Sequence, residues 1–144
     1  MKTIFTIFAF LVFSFSNAQK ITNHFEEIQK NAKQLNKNIL IIFSGSDWCA
    51  PCIKLDRNVF QTETFKKTAI ENWIVVKADF PRKKANQLTT EQTENNRILA
   101  EKYNKEGSFP LVVLMNQDGK VIKKMGFKNS SAQEYIQELL NTDK

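Results

Sequence analysis

Cysteine and histidine are scarce in this chain: its 144 residues hold two cysteines, Cys49 and Cys52, and one histidine, His24. A closed zinc site takes four ligands, and thiolates and imidazoles from these residues do not reach that number. Cysteines only three apart also make a poor structural cross-link, because the loop they close is too short to constrain the unfolded chain. Internal repeats and low-complexity tracts are lacking as well. The apolar run from Ile4 to Phe15 is shorter than the roughly 20 residues that a membrane-spanning helix needs. The formal net charge is +6, yet the basic residues are scattered rather than banked on one face. That pattern argues for a solvated basic surface and against nucleic-acid binding. Pro81-Arg82-Lys83-Lys84 is the local exception, and it reads as a solvated loop before a partner patch.

Lys2, the apolar run and the small residues Ser16-Asn17-Ala18 form the pattern of a secretory signal peptide, residues 1–18. Cleavage after Ala18 would leave a mature chain starting at Gln19. No cysteine stands at that junction to carry a lipid anchor. The mature chain, residues 19–144, is therefore expected to be one exported domain, periplasmic or secreted, where disulfides persist. With 42% hydrophobic and 25% charged residues, the chain has the composition of a single globular domain with a real core.

Phe25, Ile28, Ala32 and Leu35 recur at helical spacing and predict a helix from Thr22 to Asn36. Asn38 to Phe43 is a branched apolar run, which suits a buried strand. Helical pattern resumes at Ala50, tolerates Pro51 in its first turn, and restarts near Thr62. Trp73 to Phe80 predicts a second strand, and Glu91 to Asn104 a helix. Leu111–Met115 and Lys120–Met125 flank Asp118-Gly119, a hairpin signal. Ser131 opens a last helix through Leu140. Strands alternating with helices imply a mainly parallel sheet covered on both faces, with an antiparallel edge from the hairpin. Met115 and Met125 fall in strand pattern and belong to the core.

The two cysteines sit where the first strand meets its helix, and carboxyl ends of strands are where such sheets gather chemistry. At the amino end of a helix, unpaired N–H groups and the helix dipole stabilise a thiolate on Cys49. An ordinary thiol near pKa 8.5 is only about 3% ionised at pH 7, so this stabilisation creates the nucleophile. Cys52, one turn further on, is within reach to resolve a mixed disulfide formed by Cys49. Trp48 offers an apolar shelf, and Asp47 is a carboxylate that either assists as a base or solvates the turn. Redox catalysis is favoured, while two-coordinate binding of Cu(I) by the same sulfurs stays open.

Asp47-Trp48-Cys49-Ala50-Pro51-Cys52 after a buried strand, Asp79 ending the next, Gly107-Ser108-Phe109-Pro110 ahead of a third and Gly126 after the fourth resemble the thioredoxin superfamily. More narrowly, the chain resembles extracytoplasmic thioredoxin-like proteins, including the periplasmic C-terminal domain of the transmembrane thiol:disulfide interchange reductase. The resemblance implies a thioredoxin-like three-layer α/β/α sandwich with a mixed central sheet and a C-terminal antiparallel hairpin. It implies that Pro110 is a cis-proline facing the disulfide, and that the backbone at Phe109 and Pro110 pairs with substrate chain.

The expected activity is that of a thiol:disulfide oxidoreductase, reductase or isomerase, acting on protein disulfides. Its expected partners are those substrates and a membrane or envelope redox partner; no cofactor, no metal and no nucleic acid are expected, and the protein is expected to act as a monomer. A copper-handling metallochaperone and a non-enzymatic thioredoxin-fold binding module are the alternatives. Two family features are missing. The buried aspartate six residues before the first cysteine is here Phe43, and the lysine that accompanies it falls at Val75.

Overall fold

The computed structural model describes residues 18–141; of the expected signal segment 1–18, residues 1–17 lie outside them. Helix α1 (Ala18–Leu35) leads into β1 (Asn38–Ser44), followed by α2 (Ala50–Leu55), α3 (Glu63–Asn72), β2 (Trp73–Asp79), α4 (Thr90–Tyr103), β3 (Leu111–Met115), β4 (Val121–Met125) and α5 (Ala132–Leu140). Side-chain caps explain several of these boundaries. Thr62 accepts from the Phe65 N–H to start α3, and reciprocal capping boxes Thr89/Gln92 and Ser131/Glu134 start α4 and α5. Helix α1 stops where Asn36 takes a left-handed φ of 50°, and the Lys37 N–H closes the end on the Ala32 carbonyl.

Between α2 and α3 the chain widens into a π-helical turn, Asp56–Phe60, closed by the Gln61 N–H on the Asp56 carbonyl. The extra residue brings Val59 and Phe60 together into the core. At the β3–β4 turn, Gly119 has φ 82°, which the Asp-Gly signal foresees.

The strands lie in the order β2-β1-β3-β4. Only β1 and β2 are parallel; β3 runs antiparallel to β1, and β4 antiparallel to β3. The sheet is thus mixed and not mainly parallel as alternation alone suggests. The segment from Asn104 to Pro110 returns the chain to the carboxyl end of β1, so that Leu111 starts opposite Phe43 and β3 must run back.

Strand alternation sorts β1 between two cores. Leu40 and Ile42 face Leu55, Phe60, Phe65 and Tyr135 from α2, the π-helical turn, α3 and α5, while Ile39, Ile41 and Phe43 face Ala32, Leu99 and Tyr103 from α1 and α4. The result is three layers, helix on sheet on helix. Each fully buried Ile or Leu contributes about 1.5–3 kcal/mol relative to exposure, and the all-apolar centre of β1 anchors both cores. Met115 and Met125 are buried there too, as expected.

Candidate active site

The turn Gly45–Trp48 joins β1 to α2 and places the cysteines. The Gly45 carbonyl accepts from the N–H groups of Trp48 and Cys49, at 3.3 and 2.9 Å. A Cβ at Gly45 would lie 2.3 Å from Cε2 of Trp48, so the indole folds back over the turn only because this residue has no side chain.

Cys49 is the N-cap of α2, with extended backbone, and its Sγ accepts from the Cys52 N–H at 3.3 Å. Pro51 stands in the first turn, where its missing N–H costs nothing. Cys49 and Cys52 are joined by a disulfide, with Cα atoms 5.2 Å apart. Both residues are buried, 5% and 2% exposed, with Cys49 at the start of α2 and Cys52 one turn inside it.

An aromatic wall rises beside them. Trp48 Nε1 donates to the Phe80 carbonyl at 2.7 Å, and Phe109 meets Trp48 and Phe80 edge-on with centroids 5.5 and 5.4 Å away. The Phe109–Pro110 peptide is cis, as the resemblance implies. Pro110 borders a cleft of about 220 Å³ that it shares with Ile42, Cys52, Asp56, Lys77 and Asp79. The structure therefore brings Trp48, Cys49, Cys52, Phe109 and Pro110 into one neighbourhood.

Asp47 is engaged elsewhere. Its carboxylate accepts from the backbone N–H groups of Arg82 and Lys83, both at 2.9 Å, and from Asn86 Nδ2 at 3.0 Å. Donation by the Arg82 N–H foremost holds this carboxyl below the usual aspartate range. An acid so stabilised as its anion is a weak base, and both oxygens point to the 82–86 loop. The geometry makes Asp47 a clamp on that loop rather than the base it suggests in sequence.

The position of the family aspartate also differs from the one that the count assigns to it. Phe43 lies on the α1/α4 side of the sheet, fully buried, and so does not lie beneath the cysteines. The residue of β1 that borders the cleft with Cys52 is Ile42, one position earlier. Counting back from Cys49 fails because the count assumes a fixed turn length, and one residue of difference moves a side chain to the other face. The count that puts the accompanying lysine at Val75 shifts in the same way: Val75 packs on the α2 side opposite Leu40, and the residue in register with Ile42 is Lys77. Charge enters the cleft through other residues: Lys77, beside Ile42 in register, pairs with Asp56 at 3.4 Å.

Three participants have partners that the sequence does not announce. Asp79 accepts from the Ser46 N–H at 2.9 Å and the Ser46 hydroxyl at 2.6 Å, tying the end of β2 to the cysteine turn. Arg82 lays its guanidinium over the Trp48 ring, 3.9 Å from the centroid. Phe80 completes the aromatic wall. Strand ends and basic residues in these positions were visible, but their partners are more than thirty residues distant. His24 is exposed and apart from the cysteines in sequence. Among the described residues no group of three or more His, Cys, Asp or Glu side chains could hold a metal ion, and no helix is long and apolar enough to cross a membrane.

Comparison with known proteins agrees with this architecture. The chain is 35% identical over 112 residues to the disulfide bond reductase DsbH of Chlamydia pneumoniae, an alignment covering 78% of this chain and 66% of that protein, just under two thirds of its length. A solved structure of a DsbH oxidoreductase superposes with a TM-score of 0.75 at 33% identity, covering 82% of this chain and 80% of the other. The oxidised DsbD C-terminal domain of Neisseria meningitidis shares the fold, with a TM-score of 0.54 at 17% identity over 84% of this chain and 94% of its own. The family model described as thioredoxin-like matches residues 20–117. By that match, and with a Cys-x-x-Cys disulfide capping α2 beside a cis-proline, the chain belongs to the thioredoxin-like family.

Proposed function

We propose that the protein is a thiol:disulfide oxidoreductase that reduces or isomerises protein disulfides through Cys49 and Cys52. The observation that carries this reading is the seating of the pair: Cys49 caps α2 and accepts the Cys52 N–H, while Cys52 lies one turn deeper in a cleft shared with Pro110. The printed name of the DsbH relative, a disulfide bond reductase, supports reduction as the direction.

The reaction starts from the reduced protein. Cys49 ionises first, because the Cys52 N–H and the other unpaired N–H groups of the first turn stabilise its anion. The thiolate attacks one sulfur of a substrate disulfide; a Cys49–substrate S–S bond forms, the substrate S–S bond breaks, and the other substrate sulfur leaves as a thiolate that takes up a proton. Cys52 then loses its proton and attacks Cys49 Sγ. The Cys49–Cys52 bond forms and the second substrate sulfur leaves as a thiolate. Two electrons have passed to the substrate, and an external dithiol restores the protein with two electrons and two protons.

Trp48, Phe109 and Pro110 form the substrate-facing wall in this scheme, and the backbone at Phe109 and Pro110 offers itself for pairing with an extended substrate chain. Asp47 acts as a positioning residue through the 82–86 loop. The chain works outside the cytoplasm after loss of residues 1–18, as a single domain, with an envelope redox partner as its electron source. Insulin reduction by the wild-type protein and by Cys49→Ser tests the reading, run beside a Cu(I) titration. Reduction that vanishes with Cys49 supports it; stoichiometric tight Cu(I) binding without reduction would replace it with copper handling.

A further inference from the structure

We infer that the rim of this site selects disulfides whose flanking residues are acidic, with Arg82 and Lys54 as the cations that recognise them. The inference rests on the oxidoreductase reading and names its substrate class.

Two exposed aromatic rings carry a cation each, and one of them, Trp48, directly precedes Cys49. Arg82 stacks over Trp48 at 3.9 Å, and Lys54 lies 5.4 Å from the ring centroid of Phe127. Trp48 precedes Cys49, and Lys54 follows Cys52 by two residues in α2. Phe127 is held nearby through its neighbour: Gly126 approaches the Pro110 carbonyl, and its own carbonyl accepts from the Tyr135 hydroxyl at 3.1 Å. Arg82 thus stands at the site through Trp48, and Lys54 stands on the helix that Cys49 caps, from a separate element.

Both cations are available. Neither Arg82 nor Lys54 forms an ion pair among the described residues. Stacking engages the face of a guanidinium and leaves its N–H edges open for a carboxylate, while the ring contact limits the side chain's freedom before binding. The carboxylates that adjoin the site in sequence or in the cleft are engaged by the protein's own donors: Asp47 by the 82–86 loop, Asp79 by Ser46 and Asp56 by Lys77. Lys83 and Lys84, exposed beside Arg82, add to the same sign of potential.

The Asp47 clamp grips the Arg82 backbone N–H, not its side chain, so the guanidinium can be changed without cutting the clamp. Three synthetic disulfide-looped peptides, identical except for Glu, Gln or Lys beside each cysteine, are mixed with prereduced protein, and the second-order rate of its oxidation is read. The Glu peptide is expected to react about five to ten times faster than the Gln peptide, and the Lys peptide slower. This preference should collapse in Arg82→Gln/Lys54→Gln and in about 1 M salt, where the screening length is about 3 Å. Charge reversal at both positions should turn the preference toward the Lys peptide. Equal rates for the three peptides, or an unchanged preference in the double variant, would overturn the inference while exchange with the Gln peptide sustains the oxidoreductase reading. Failure of every peptide to oxidise the protein overturns both.

Discussion

Replacing Ile42 by aspartate should accelerate the second half of the exchange reaction and leave the first half unchanged. Ile42 is 3% exposed, packs with the α2-side core and borders the cleft with Cys52. Burial disfavours an anionic sulfur, so a deep thiol without a nearby base resolves a mixed disulfide slowly. A carboxylate at position 42 would stand beside Lys77 in register, and would accept the Cys52 proton. General bases so placed contribute about 100-fold or more in favourable geometry; an unrefined site should still give about tenfold at neutral pH.

The substitution has a cost that can be bounded. Loss of the buried aliphatic side chain is worth about 2–5 kcal/mol, and the desolvated carboxylate adds to it, offset in part by Lys77. A loss of about 4 kcal/mol from a domain holding about 5–15 lowers the urea midpoint by about 2–3 M and leaves the protein folded in buffer. Stopped-flow mixing with acid quench and mass analysis separates formation of the Cys49 adduct from its resolution. Ile42→Asn controls for lost volume, and Phe43→Asp places the carboxylate on the far side of the sheet. Equal resolution by the Asp and Asn variants at position 42, with native near-ultraviolet dichroism, would refute the reasoning; so would acceleration by Phe43→Asp.

Cys49→Ser should abolish exchange, whereas Cys52→Ser should still attack and then persist as a mixed disulfide visible by mass spectrometry. Gly45→Ala forces a methyl into the Trp48 ring; about 1–3 kcal/mol of destabilisation is expected, with a changed indole emission as the indole leaves the Phe80 carbonyl. Asp47→Asn sets an amide donor against one of three donors and should speed hydrogen exchange at the Arg82 and Lys83 amides. Because the folded carboxyl is held below its ordinary value of 3.8, the clamp is fully present above about that pH and is lost as the pH falls through the lower folded value. Protection of those two amides, corrected for intrinsic rate, should therefore survive to pH 4 and decline only below it; loss near pH 5 would contradict the clamp.

Local chemistry made much of this fold legible. Asn38–Phe43 read as a buried strand, Ser131 announced the last helix, and Asp118-Gly119 closed a hairpin. The cysteines declared themselves by spacing and by their place after a strand. What stayed hidden depends on parity and direction. Nothing local distinguishes Ile42 from Phe43, since both are apolar and both are buried, and only the length of the turn decides which meets Cys52. Nor does the Leu111–Met115 run state its direction, which follows from where the preceding segment delivers the chain. The π-helical turn at Asp56–Phe60 likewise preserves helical spacing closely enough to pass for a continuous helix.

Long-range partners account for the remaining surprise, and they share a pattern. Ser46, Asp47 and Trp48 are consecutive, and each sends its side chain to the segment that leaves β2: to Asp79, to Arg82 with Lys83 and Asn86, and to Phe80. Three successive residues of a turn point in different directions, and one segment meets all three of these. The β2 exit does so, using a carboxylate, a carbonyl, two backbone N–H groups and a side-chain amide. Consequently the turn that carries Cys49 and the loop that carries Arg82 are bound by at least six hydrogen bonds and one cation–π contact. Such a unit shares its bonds cooperatively. Removing the Asp47 carboxylate should therefore loosen Arg82 and Trp48 together, because it releases the backbone that carries the guanidinium, whereas changing the Arg82 side chain alone leaves those backbone bonds in place.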